Sequence, residues 1–227
     1  MAEIQSNDDA SAHLASLLTE RFSGKWTTPD GWPGEADSSL IDSVFSTRAK
    51  YEIVVRPLVE RFRKSELRDA SGSLTTLARV SSDVLMDVIK NKQKVPGRSP
   101  HQLLKVDAVR AVASLLVTQN WSTPSQIMNA AITFPKEFRS TFIKTPGVGQ
   151  AQYSYFLMLL GIPGVKPDTL VTAWVERELG LPSVSQKEIQ RIVIEAAKQI
   201  GVDATTVDHT IWSEESQSRG QVGRRRS

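Results

Sequence analysis

Cysteine is absent from the 227-residue chain, which excludes disulfides, cysteine-ligated zinc and iron–sulfur clusters. Histidine is scarce. His13, His101 and His209 lie far apart and offer no metal-ligand spacing. The longest apolar run, about Tyr153 to Ile162, is far too short to span a bilayer. The N-terminal Met1-Ala2-Glu3-Ile4 lacks the basic-then-apolar pattern of a secretory leader. Aromatic residues are modest in number, in keeping with a soluble globular chain. Strand-like alternation and internal repeats are also missing. These absences point to an intracellular protein without a metal, cytoplasmic, or nuclear in a eukaryotic cell.

What is present is helical periodicity. The length suits one domain, or two intimately packed subdomains, with ample core. Leu40, Ile41, Val44 and Phe45 share one helical face. Pro57 starts a new turn continued by Leu58, Val59 and Phe62. Ser82-Asp83 can cap a helix holding Leu85, Met86 and Ile89. A long helix spans about Leu103 to Val117, and Thr123-Pro124 pairs a cap with proline at the first helical position. Ser185 and Glu188 form a capping box ahead of the stripe Ile189, Ile192, Val193, Ala196, Ala197 and Ile200. The fold class is therefore all-α. Residues 1–36 read as an N-terminal extension, in which Gly24, Pro29, Gly31, Pro33 and Gly34 break the chain after a short helix.

The net charge is only +3, so its distribution matters more. Lys90, Lys92, Lys94, Arg98 and Lys105 form one run without an acid. Arg219, Arg224, Arg225 and Arg226 form another in a tail, residues 217–227, that reads as basic and disordered. Such clusters neutralise phosphates, and they also describe a solvated loop and a frayed end.

Phe138, Phe142 and Ile143 suggest a helix ending near Lys144. Thr145-Pro146-Gly147-Val148-Gly149 follows, then a second helix from Gln150 to about Leu160. Two glycines two residues apart make a tight turn with little side-chain bulk. Backbone N–H groups at such a turn, and at the helix that follows, attract a phosphate oxygen without any basic side chain. The residues expected to do so are Gly147, Val148, Gly149, Gln150 and Ala151. A plain connector with glycine caps reads the same way.

This hairpin, its apolar second helix and then Pro167-Asp168-Thr169 resemble the helix-hairpin-helix (HhH-GPD) DNA glycosylase superfamily. The interval from Gly149 to Asp168, 19 residues, fits. The segment Leu40 to Arg48 is similar to the family's early helix and DNA-probing loop, and the similarity extends over roughly Ser38 to Trp212. The resemblance implies two packed helical subdomains with a DNA-binding cleft, residues 37–216 as the glycosylase domain, and a hairpin at about 139–161. It implies a monomer whose partner is double-stranded DNA containing a damaged base, with no membrane. Arg48 takes the probing place. Gln119 also looks like a probe, but it lies only 28 residues before Gly147, too near for the intervening helices.

In that family an aspartate at this position is catalytic. Base excision develops positive charge on the sugar once the base has left the stack. A fixed carboxylate stabilises that charge and orients or deprotonates the attacking water. Asp168 is the candidate, although Pro-Asp-Thr before an apolar helix is also an ordinary N-cap. The family's lyase-active members carry a lysine two positions after the second glycine, where this chain has Ala151, so hydrolysis without strand cleavage is implied. Many relatives have histidine where Leu170 stands. No cofactor is implied, since the four cluster cysteines are missing, and a monovalent cation at the hairpin stays open. Tyr153 and Trp174, with Tyr155 and Phe156, are candidate walls for a flipped, electron-poor alkylated base, or are core. Asp208 and His209, adjacent on a helix, do not face each other and read as structural. Two rival readings remain: a non-catalytic DNA-binding protein on the same scaffold, and a helical interaction module.

Overall fold

The computed structural model describes residues 7–96, 102–166 and 168–224. Twelve α-helices lie among them. The first six are α1 (Asn7–Phe22), α2 (Ala36–Phe45), α3 (Arg56–Arg63), α4 (Thr75–Arg79), α5 (Ser82–Ile89) and α6 (Lys105–Thr118). Next come α7 (Pro124–Thr133), α8 (Pro135–Phe142), α9 (Gln150–Leu159), α10 (Thr169–Leu179), α11 (Gln186–Ile200) and α12 (Ala204–Arg224). A π-helical turn, Tyr51–Val55, leads into α3. No strand occurs among the described residues. A single antiparallel bridge joins Lys94 to Leu104. The class is all-α, and the chain forms two compact units: Gly31–Ile162, and Met1–Asp30 with Pro163–Ser227.

In the Gly31–Ile162 unit, α2 is the central helix, packed by α3, α6 and α9. The apolar spacing shows only one face, yet all ten of its residues are buried. Its polar side chains are accommodated locally. Ser43 Oγ donates to the Leu40 carbonyl, and the Trp32 indole and the Tyr51 hydroxyl both donate to Asp42 Oδ2 at 2.8 Å. Residues 31–36 belong to this unit rather than to an extension. Trp32 N–H donates to the Leu159 carbonyl, and Ala36 N–H to the Gly72 carbonyl. The cap of α5 is Ser81, one residue earlier than its sequence suggests.

Asp37, at the start of α2, is 1% exposed. Its Oδ1 accepts from Ser38 N–H, while Oδ2 has no hydrogen-bond partner. Burial pushes this carboxyl up to about 6 from an ordinary 3.8, with the nearby Glu35 adding to the rise and Arg68 opposing it. Below pH 3.8 folded and unfolded chains both hold the proton, so burial carries no ionisation penalty there. As pH rises, the unfolded chain ionises first and stability is lost across the window up to about 6. Asp37→Asn has no such loss. Its stability relative to the parent is expected to rise by about 2 kcal/mol between pH 4 and pH 7 and then level off, as read from urea denaturation across that range. A constant difference would contradict this assignment.

The other unit corrects the expected periphery. Leu14 and Leu18 of α1 are fully buried, and α1 packs along α11 and against α10. Residues 7–36 are thus not a detachable extension, because α1 supplies core that α10, α11 and α12 cannot make alone. The capping of α11 by Ser185 follows its sequence. The expected disordered tail is helical as far as Arg224, a continuation of α12, and residues 225–227 lie outside the described residues.

Candidate functional site

Phe138 and Phe142 of α8 are fully buried, and Tyr153 of α9 packs against both rings. This aromatic stack joins the two helices of the hairpin. Between them, Val148 N–H donates to the Thr145 carbonyl and closes a tight turn. Gly147 there has φ +79°, a region open chiefly to glycine. Its backbone lies against Val95, so that a Cβ built on it falls 2.4 Å from Val95 Cγ2.

Gln152 ties the turn together. Its Oε1 accepts from Gly149 N–H at 3.0 Å, and its Nε2 donates to Thr47 Oγ1 at 3.0 Å and to the Gly147 carbonyl at 3.3 Å. Two of the N–H groups expected to face a phosphate, those of Val148 and Gly149, are therefore already used inside the turn. The first intrahelical bond of α9 runs from Tyr153 N–H to the Gly149 carbonyl. Helix geometry leaves Gln150, Ala151 and Gln152 N–H without an acceptor in their own helix, at its positive end. Arg139 stands beside them, its Nε donating to Gln150 Oε1 at 2.5 Å. Exposed Lys144 adds a second positive charge near the turn.

Gln152→Ala removes three contacts at once. It is expected to lower stability by about 1–3 kcal/mol and to speed hydrogen exchange at Gly149 far more than at Phe156. Amide exchange followed by NMR decides this, and uniform acceleration along α9 would contradict the local role.

Arg48 follows α2 in a left-handed conformation, φ +54°, and is exposed. Such a backbone is costly for arginine and has to be held by its surroundings. Lys105 does part of that holding. Its Nζ donates to the Phe45 and Thr47 carbonyls at 3.0 and 2.7 Å and to Gln93 Oε1 at 3.2 Å. At 2% exposure it is not a surface cation for phosphate, and burial pushes its ammonium down to about 8. At the described ends of the basic run, Val95 N–H bonds the Leu103 carbonyl and Lys105 N–H the Gln93 carbonyl. Arg98 lies outside the described residues. Arg48, Thr47, Gln93, Lys94, Gln102 and Lys105 line a cavity of about 190 Å³, with no carboxylate in its wall.

Asp168 belongs to the other unit. It is the N-cap of α10, and its Oδ1 accepts from Leu170 and Val171 N–H at 2.9 and 3.0 Å. The residue is partly exposed. Its own N–H donates to the Lys166 carbonyl at 2.7 Å, and Lys166 N–H donates to Asp208 Oδ1 at 3.0 Å. Asp208 is buried. Desolvation first, then the Asp168 charge, hold its carboxyl well above the usual carboxylate range, against the opposing Lys166. His209, next on α12, turns away so that Nδ1 lies 3.2 Å from Thr27 Oγ1, and burial lowers its imidazolium. The two neighbours face different partners, as adjacent helical positions should.

Of the aromatic candidates, Trp174 borders an open cavity of about 310 Å³ together with Leu17, Glu20, Arg21 and Glu178. Trp174 is fully buried beside Phe22, and Tyr153 is held in its aromatic stack. Both are core because α9 and α10 turn these positions inward. The half-buried aromatics of the Gly31–Ile162 unit include Trp32, Tyr51 and Tyr155, around the buried Asp42. Sequence reasoning passed over Asp42 and Gln152. The signals were an aspartate inside an apolar helix and a glutamine three residues after a glycine cap. Among the described residues no group of three or more His, Cys, Asp or Glu could hold a metal ion, and no helix is long and apolar enough to cross a membrane.

A family model described as "Domain of unknown function (DUF8548)" matches residues 12–216, and the chain belongs to that family. No curated protein matches it.

Proposed function

We propose that this member of the family is a monofunctional DNA N-glycosylase on the helix-hairpin-helix scaffold, which hydrolyses the bond between a damaged base and its sugar. The observation that carries the reading is Asp168, a partly exposed carboxylate fixed by two backbone N–H groups at the head of an eleven-residue helix. A carboxylate held this way needs no rearrangement to stabilise positive charge developing at C1′, and it can orient or deprotonate a water attacking there. The α8–α9 hairpin supplies the backbone grip through Gln150 and Ala151 N–H, with Arg139 and Lys144 adding charge. That grip carries no sequence information. Arg48, on its strained loop, is assigned the gap left by the extruded base. Ala151 puts a methyl group where an amine nucleophile would be needed, so the strand stays intact. Tyr153 lies in the core and carries no argument for an alkylated base, whereas Trp174 borders an open cavity beside Arg21 and Glu178.

Purified protein incubated with duplexes carrying alkylated, deaminated, oxidised or mismatched bases is expected to release one class of base. An abasic site and an unbroken strand should remain, and borohydride should trap no covalent adduct. Duplex binding without release from any member of the panel leaves a DNA-binding protein that does no chemistry. A trapped adduct overturns the hydrolytic assignment. Failure to bind duplex DNA at low salt overturns the reading as a whole.

A further inference from the structure

We propose that Asp208 is a positioning residue for Asp168, acting through the backbone of Lys166; the proposal rests on the glycosylase reading of Asp168. The residues before Asp168 are seated on α11 and α12 by side chains, one contact each. Thr205 Oγ1 accepts from Gly164 N–H at 3.0 Å. Gln190 Nε2 donates to the Val165 carbonyl at 3.1 Å. Asp208 Oδ1 accepts from Lys166 N–H at 3.0 Å, and the Lys166 carbonyl accepts from Asp168 N–H at 2.7 Å. One peptide unit on each side of Lys166 therefore separates a buried carboxyl group from the residue bearing the reactive one. Thr205 and Asp208 lie three positions apart on α12, so a single helical face makes both of its contacts.

The charge arrangement gives the pairing a chemical consequence. Asp168 at the head of α10 and Lys166 in the loop are the charges that act on Asp208. From α11 it is the neutral Gln190 that reaches this loop, while His209 turns to Thr27 and feels Asp30. Buried and beside another carboxylate, Asp208 keeps its proton far past the ordinary range. When Asp208 ionises, a negative charge appears against the loop and beside the Asp168 carboxyl group, which it repels. Two carboxyl groups with environments this different divide the work. One faces the reaction, and the other holds the backbone without competing for the developing cation.

Two substitutions separate this role from plain structural support. Asp208→Asn retains an acceptor for Lys166 N–H and stays neutral at every pH. Asp208→Ala removes the acceptor. Single-turnover base release by Asp208→Ala is expected to fall at least tenfold with duplex affinity unchanged. Asp208→Asn should stay within threefold of the parent at pH 7 and lack the loss of rate that accompanies ionisation of Asp208 in the parent. Carboxyl-carbon NMR of the intact protein gives a readout that needs no substrate. The Asp168 signal of the parent should move when Asp208 titrates, and that step should vanish in Asp208→Asn. An Asp168 signal indifferent to the titration of Asp208 overturns the proposal, as does a parental rate and pH profile in both variants. Absence of base release by the parent itself overturns the glycosylase reading and leaves the carboxyl titration to decide the pairing. If Asp208→Ala does not fold, the asparagine variant and the titration carry the test.

Discussion

Asp168→Asn is expected to abolish base release, lowering the single-turnover rate at least about a hundredfold, while duplex affinity and melting temperature stay close to those of the parent. The split follows from what each atom does. Asp168 Oδ1 accepts from Leu170 and Val171 N–H, and an amide oxygen accepts the same two bonds. The α10 cap therefore survives, at a cost of a few tenths to about 1 kcal/mol for the lost charge at the helix head. The negative charge does not survive, and stabilisation of a cationic transition state depends on it. Asp168→Ala is the informative companion. It loses charge and cap together, so its melting temperature drops along with its activity. Base release by Asp168→Asn at the parental rate would show that the carboxylate is only a cap. Equal falls in stability and activity would point to the same conclusion.

The sequence carried the helices well because their stripes and caps are local. Ser185, Thr123 and Pro124 mark their helix starts in the structure as they do in the chain. It misjudged α1 because burial is decided by distant partners. Leu14 and Leu18 look like a short helix before a glycine-rich break, and only α11, well over a hundred residues later, makes them core. The same limit applies to Lys105. Five basic residues in sixteen read as a surface cluster, yet one of them turns inward because α2 ends in carbonyls that lack helical partners. Asp168 was legible because a helix cap has a fixed local signature. Asp208 was visible as a residue but not as a partner, since its contact is with a loop some forty residues earlier in the chain. Tyr153 and Trp174 were open between pocket and core, and no local pattern separates those two fates.

The largest effect on the hairpin comes from the first of its two glycines. Gly147→Ala is expected to destabilise the Gly31–Ile162 unit by about 2–4 kcal/mol, and Gly149→Ala by less than about 1 kcal/mol. A motif reading treats the pair alike, and the geometry does not. Gly147 sits at φ +79°, and an added Cβ meets Val95 Cγ2 at 2.4 Å and Val95 Cβ at 2.6 Å. Val95 is itself buried, so its side chain cannot swing into solvent. Gly149 sits at φ −135°, which any residue adopts, and a Cβ there meets only Gln152 Oε1 at 3.7 Å. Chemical denaturation of the two variants gives the comparison directly. Val95→Ala in the Gly147→Ala background should recover only part of the loss, since it removes the Cγ2 contact and leaves the 2.6 Å approach to Cβ and the backbone strain, a coupling that a double-mutant cycle measures. DNA affinity orders the variants differently. The Gly149 methyl group stands at the N-terminus of α9, where a phosphate oxygen must approach Gln150 and Ala151 N–H closely. Gly149→Ala should therefore weaken binding to every duplex by a similar factor, about tenfold, with its fold intact. Unchanged affinity in a folded Gly149→Ala protein would remove the hairpin from the DNA interface and leave it a connector between α8 and α9.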